Sequence, residues 1–243
     1  AAPASPPAAG LEEMTRRADR FKALLEMSAS MAHEIRNPLA SIRGAAQELE
    51  GSSLSRDEDR QLLQVVIRES DRLNGIISEF MDYASDRPVD LALCNLAEVI
   101  EETVLLLEAR RDRNVEVRTE APRTVVCRGD SDKLKQVLLN LGLNAVEACS
   151  RNLKIGHVTY RCQAAAGPEP DRKDGVVVEV VDDGAGIPRE VLGRVFAPFF
   201  TTKSTGVGMG LAIARKIVQA HGGEITIESQ EGRGTTVRMW IPA

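Results

Sequence analysis

The 243-residue chain has only three histidines, and one of them, His33, is placed to do chemistry. It falls between Met31 and Ile35 of an apolar seam. At ~100° per residue it is turned about 200° from Met31, so it points away from that seam. Glu34 follows it directly. Pro38 cannot donate to the carbonyl of Glu34, which predicts a helix kink one turn beyond the histidine. An exposed imidazole beside a carboxylate suits a nucleophile, because the carboxylate can hold one ring nitrogen protonated and leave the other free to attack. Taken alone, a solvated surface histidine is the plainer alternative.

A second constellation lies further along. Asn140 and Asn144 are i and i+4, so both amides share one helix face although asparagine is a poor helix-interior residue. A neutral amide oxygen suits a hard cation, and a solvated polar face is the bland alternative. Asp182-Asp183-Gly184-Ala185-Gly186 follows an apolar strand. Its glycines permit close backbone approach, and a carboxylate there can accept from an amine edge. Gly206-Val207-Gly208-Met209-Gly210-Leu211 opens a helix whose free N–H groups can cradle phosphate. The spacing is GxGxG, not the dinucleotide GxGxxG, and no βαβ unit precedes it, so a Rossmann reading fails. Gly232-Arg233-Gly234-Thr235 by itself reads as a hairpin turn.

These residues require two kinds of scaffold. Leu24, Met31, Ile35, Leu39, Ile42, Ala46 and Leu49 give a long helix with a narrow seam. Gly51-Ser52-Ser53 break it, and Ser55 with Glu58 forms a capping box for a second helix. Leu62, Val66, Leu73, Ile76, Phe80 and Tyr83 make the seam of that helix, until Pro88 ends the segment. A helical hairpin with narrow seams is completed most economically by a homodimer forming a four-helix bundle. The alternative is a monomeric hairpin packed on the following domain. Beyond it, Asn95 with Glu98 starts a helix carrying Leu96, Val99, Ile100, Val104 and Leu107. Strands are expected at 115–119, 124–127, 157–161, 176–181, 225–228 and 235–241. Helices are expected from Asp130 or Ser131 to Cys149 and over 209–220. Strands gathered on one side of a few helices suggest an α/β sandwich.

Composition bounds the partners. The 36 acidic and 31 basic side chains leave a net charge of −5, and 43% hydrophobic with 28% charged residues is ordinary for a globular protein. The acidity argues against a nucleic-acid binder, and eight aromatics (five Phe, two Tyr, one Trp) supply little for base stacking. Cys94, Cys127, Cys149 and Cys162 contain no CxxC pair, which fits buried thiols in a reducing compartment. The opening AAPASPPAAG reads as a linker, expected where a fragment is cut from a longer protein.

His33-Glu34-Ile35-Arg36-Asn37-Pro38 resembles the phospho-acceptor box of bacterial sensor histidine kinases. The resemblance implies that His33 accepts a phosphoryl group and that Glu34 is the general base. It also implies that Asn37 positions water when the same domain dephosphorylates its partner. The order NxxxN, DxGxG, Phe-rich stretch, GxGxG, GxGT resembles the GHKL-type ATP-binding domain shared by histidine kinases, gyrase, a heat-shock chaperone and mismatch-repair ATPases. It implies ATP and Mg²⁺ as cofactors, with Asn144 the metal ligand, Asn140 near the phosphates and Asp182 on the adenine amino group. Gly184 and Gly186 would shape the pocket, while Gly206, Gly208, Gly210, Leu211 and Thr235 complete the nucleotide set. Residues from about Ile187 to Thr205 would be a mobile lid, anchored by Phe196, Phe199 and Phe200, with Lys203 reaching a phosphate. HEIRNPLASIRGA, RESDRLN, LNLGLNAVEA and PFFTTK are most similar to nitrogen-regulation and pilus-regulation sensor kinases. Many members place a Lys shortly after the second Asn. Here the stretch reads Ala145-Val146-Glu147-Ala148, which shifts weight onto Lys203.

The implied organisation is α + α/β: a linker over 1–10, a dimerisation and phosphotransfer hairpin over 11–88, and an ATP-binding α/β sandwich over 89–243. The implied function is an ATP-dependent histidine autokinase, a homodimer that passes its phosphoryl group to the aspartate of a response-regulator receiver domain and also dephosphorylates it. This region would be cytoplasmic, without direct membrane contact, and any membrane attachment would lie upstream. A pure ATPase and a non-catalytic dimeric adaptor are the rivals. The gyrase and chaperone branches carry a Glu where Asn140 stands, and an amide cannot act as a general base for water.

Overall fold

A computed structural model describes residues 31–32, 34–49, 56–85, 87–109, 114–150, 155–167, 174–203 and 206–243. The chain divides into two compact units, Ala1–Ala84 and Ser85–Ala243. His33, Ser55, Leu24 and the Gly51–Ser53 break lie outside the described residues.

The first unit is a helical hairpin. Helix α1 is continuous over 34–49, passing through Pro38, and α2 spans Arg56–Ala84. On α1 the buried positions are Pro38 and Ala45, with Ile35, Ile42 and Leu49 half-buried. Leu39 and Ala46 are exposed, contrary to the expected seam. The true stripe, 35, 38, 42, 45 and 49, alternates steps of three and four, and a proline inside it contributes as an apolar side chain. On α2 the expected seam faces inward, with Ile76 fully buried. A second apolar row of Leu63, Ile67, Ile77 and Met81 lies on the exposed side of α2. No described helix is long and apolar enough to cross a membrane.

The second unit is an α/β sandwich. Its elements are β1 (Ala92–Asn95), α3 (Leu96–Glu108), β2 (Val115–Glu120), β3 (Val126–Gly129), α4 (Ser131–Ser150), β4 (Gly156–Ala165), β5 (Gly175–Asp182), α5 (Arg189–Leu192), α6 (Gly210–Ala220), β6 (Glu224–Gln230) and β7 (Gly234–Pro242). The five-stranded sheet runs β2-β4-β5-β7-β6, parallel between β2 and β4 and antiparallel elsewhere. Burial alternates along β4 and β5, so one face is covered while the other meets solvent. The covered face sets Val158, Tyr160, Val178, Val180, Met239 and Ile241 against Ile100, Leu107, Leu134, Leu138, Ile213 and Val218 of the helices.

Local chemistry accounts for the ends. Asn95 caps α3 through Ala97 N–H at 3.3 Å and reaches Glu98 with its own amide at 2.9 Å, as its spacing predicts. Asp130, rather than Ser131, caps α4, accepting from Lys133 N–H at 3.1 Å. Two expectations shift. The strand placed at 124–127 is Val126–Gly129, and it pairs with Ala92–Asn95, a strand that sequence patterning passes over because four residues carry too little alternation. Cys94 and Cys127 face each other in that ladder, and all four cysteines are buried free thiols.

Candidate functional site

Two motifs about 50 residues apart are brought together by one strand pairing. Asp182 ends β5 opposite Thr235 at the start of β7. Gly234, at φ +103°, lies so close to the Asp182 carbonyl that a side chain there would collide with it. Only glycine fits a left-handed residue under that contact. Asp182 is 8% exposed, and its carboxylate accepts from Gly184 N–H at 2.9 Å and from the Thr235 N–H. Burial nonetheless dominates and pushes its pKa up to about 6, against the pull of those two backbone hydrogen bonds. A buried carboxylate with spare acceptor capacity suits an amino group that arrives from outside.

The loop that follows is held from three sides. A Cβ on Gly184 would lie 2.7–2.9 Å from Ala148 of α4, so this loop can rest on α4 only without a side chain there. Gly186 adopts φ +69°, and Gly232 N–H donates to Ala185 O at 2.7 Å, tying the loop to the β6–β7 turn. Ser229 accepts from Ile187 N–H at 2.8 Å and meets the Thr235 hydroxyl at 2.9 Å. Asp183, next to the buried carboxylate, accepts from the His157 backbone at 2.7 Å, pairs with its ring Nδ1 at 2.8 Å, and takes the Cys149 thiol at 3.5 Å. Burial would raise its pKa, but these hydrogen bonds outweigh burial and hold it below the usual carboxylate range. The same environment pushes the Cys149 thiol up to about 12, chiefly through burial.

Asn140 and Asn144 are half-buried on one face of α4, as their spacing predicts. The Asn140 amide donates to Gly210 O at 3.3 Å, joining α4 to the start of α6. The glycine stretch turns at Gly208, φ +75°, whose missing Cβ would stand 2.6–2.8 Å from the Phe199 and Phe200 backbone. α6 then begins with Met209 as N-cap and no side-chain cap, so its first N–H groups remain available for an anion. Phe199 has φ +59°, an uncommon conformation for a bulky residue. The Phe200 ring carries the Arg194 guanidinium at 4.6 Å, and Phe196 carries Arg215 of α6 at 5.6 Å. Phe196 and Phe200 are thus each held by an arginine.

Lys203 is held by this same face of α4. Its ammonium donates to Asn144 Oδ1 and to Glu147 Oε2, both at 2.7 Å. An amide oxygen that already takes a cation has the donor chemistry for a divalent ion. The site therefore fits an adenine nucleotide with Mg²⁺. Gly206 lies near Lys203 and Thr201, and Leu211 is half-buried in the first turn of α6. Ser204 and Thr205, at the end of the expected lid, lie outside the described residues.

Residues 129–243 match the family described as Histidine kinase-, DNA gyrase B-, and HSP90-like ATPase, and residues 23–88 match the His Kinase A (phospho-acceptor) domain. The catalytic domain of the histidine kinase ThkA is 35% identical, with a TM-score of 0.53, and is covered over 95% of its length by 63% of this chain. The chain belongs to the histidine kinases. A second structure of ThkA, in complex with the response regulator TrrA, superposes on 96% of this kinase chain with TM-score 0.78 and 31% identity, covering 66% of that chain. The sensor histidine kinase ZraS of Escherichia coli K12 is 36% identical over 96% of this chain and 48% of its own length. NtrB of Rhizobium meliloti, a sensory histidine kinase/phosphatase, is 34% identical over 95% of this chain and 61% of its own length. The chain thus spans about half to three-fifths of these curated relatives, and it corresponds to the catalytic region of a two-component kinase.

In the hairpin of this kinase, Glu34 and Asn37 lie on α1, and Asn37 is exposed. Arg72 of α2 stands 3.7 Å from Glu34 and 3.7 Å from Glu69. Sequence reasoning passed over Arg72 although it stands in RESDRLN, and it passed over His157 and Asp183. Arg72 lies off the apolar seam, while His157 and Asp183 are 26 residues apart and meet only through the sheet.

Proposed function

We propose that this chain is the catalytic region of an ATP-dependent protein histidine autokinase, in which His33 attacks the γ-phosphorus of ATP. A bond forms from the imidazole nitrogen to phosphorus, the bond to the β,γ-bridging oxygen breaks, and ADP leaves. The phosphoryl group then passes to a response-regulator aspartate. The observation that supports transfer over hydrolysis is Asn140. Its amide donates to Gly210 O and cannot take a proton from water.

Within that reading Asp182 accepts from the adenine amino group, and burial keeps water from competing for it. Gly184 and Gly186 shape the loop, and Thr235 braces it through Ser229. Backbone N–H groups from Gly206 to Leu211 bind phosphate oxygens. Asn144 would hold Mg²⁺, which when bound stabilises the charge that develops on the phosphoryl oxygens. In the hairpin Glu34 orients the His33 ring and accepts its proton, while Asn37 positions water for dephosphorylation of the regulator. The functional division we propose is 11–88 for phosphotransfer and dimerisation and 89–243 for nucleotide binding, in a homodimer that works in the cytoplasm, where ATP is supplied.

The test is incubation with γ-labelled ATP. Label that is alkali-stable, acid-labile and absent from His33→Gln is expected. Phosphate release without protein label would show an ATPase instead, and nucleotide binding with neither would show an adaptor.

A further inference from the structure

Lys203 was expected at a phosphate, yet its ammonium is shared between two side chains of α4. Asn144 and Glu147 are i and i+3, so their oxygens lie on one face and close on the ammonium from the same side. The Lys203 backbone N–H also donates to Thr201 Oγ1 at 3.0 Å, so the end of the Phe-rich segment is held together with the side chain it carries. Lys203 is 26% exposed and Glu147 41%, which makes this a partly shielded ion pair rather than a fully solvated one.

An ammonium 2.7 Å from Asn144 Oδ1 and a divalent cation held by the same oxygen would repel each other across a few ångströms. We propose that Lys203 and the divalent cation are alternative occupants of Asn144 Oδ1, and that Glu147 sets the balance by retaining Lys203. This rests on the assignment of Asn144 as the metal-holding residue. The consequence is a latch. With the metal–nucleotide bound, Lys203 would leave α4 for the phosphate oxygens and would carry the Phe196–Lys203 segment with it. Glu147 acts here as a positioning residue: it touches neither nucleotide nor metal, but decides where the ammonium rests.

The measurement is calorimetric binding of ADP to the whole chain across a range of Mg²⁺ concentrations, for wild type, Lys203→Met, Glu147→Gln, the double variant and Asn144→Ala. Competition predicts that Lys203→Met lowers the Mg²⁺ concentration for half-maximal ADP affinity about fivefold or more. Glu147→Gln lowers it by a smaller factor, and the double variant matches Lys203→Met, since Glu147 acts only through Lys203. A lysine that merely contacts phosphate gives a different pattern. Lys203→Met then weakens ADP by one factor at every Mg²⁺ concentration without moving the midpoint, and the proposal falls. A Glu147 that attracts the metal directly also overturns it, because Glu147→Gln then raises the midpoint whether or not Lys203 is present. Asn144→Ala separates the two levels of the argument. Loss of the Mg²⁺ effect there upholds the metal assignment, so that the other variants judge the latch alone. An unchanged Mg²⁺ dependence refutes the metal assignment and the latch with it.

Discussion

At the scale of single residues, Asp182 shows how binding chemistry opposes stability. Its pKa is pushed up to about 6 by burial, above the ~3.9 of a free aspartate. Between those values the folded chain holds a proton that the unfolded chain has released, so the stability contribution of this group falls as pH rises through that window. Above about 6 the ionised carboxylate is a net cost. Asp182→Asn should therefore leave the melting temperature at pH 7.5 unchanged or raise it. ADP affinity should drop roughly 10–100-fold, the usual worth of a charged hydrogen bond. In wild type, ADP affinity should weaken as pH falls through about 6, because the protonated carboxyl loses an acceptor. Differential scanning calorimetry and binding titrations measure both, and a variant that binds normally would remove Asp182 from the adenine contact. The place of this residue at the end of an apolar strand was legible in the sequence. Its neighbour Asp183 was not, since its partners His157 and Cys149 come from other elements.

At the scale of elements, the position of α4 decides the site, because it carries Asn140, Asn144 and Glu147. α4 is set against the sheet through Gly142, where a Cβ would collide with the Tyr160 hydroxyl and lie 2.5 Å from Leu107 Cδ1. That hydroxyl is buried and donates to Leu138 O at 2.8 Å. Gly142→Ala should destabilise by ~1–3 kcal/mol through overpacking. Tyr160→Phe should cost about 1 kcal/mol through the lost hydrogen bond to Leu138 O. The double variant should be less destabilised than the sum of the two, because removing the hydroxyl makes room for the methyl. Urea denaturation provides the cycle, and strict additivity would mean that the two groups do not meet. The helical period of α4 was readable from Leu134, Val137, Leu138, Leu141 and Ala145. A glycine within it looked only like a weak helix residue until the sheet supplied Tyr160.

At the scale of the whole molecule, the hairpin keeps an apolar row on α2 facing solvent, with Ile67 and Met81 each 61% exposed. A second copy covering that row completes the proposed four-helix bundle. Sedimentation should show a dimer for wild type and a monomer for Ile67→Glu/Met81→Glu, with nucleotide affinity unchanged because the α/β unit folds around its own core. A double variant that remains dimeric would move the interface to another face. The sequence by itself determined the two folds, the phospho-acceptor box and the nucleotide motifs, since periodicity, caps and glycine spacing are local properties of the chain. It also carried the mild acidity, which does not contradict the proposed binding of a single nucleotide by backbone amides and a metal. Only the tertiary structure decided which stripe of α1 is buried, that Thr235 lies opposite Asp182, that Asp183 is held by His157, and that Lys203 rests on Asn144 and Glu147. Each of these joins residues far apart in the chain or depends on which face another element covers. Such contacts follow from strand pairing and packing, which no local pattern encodes.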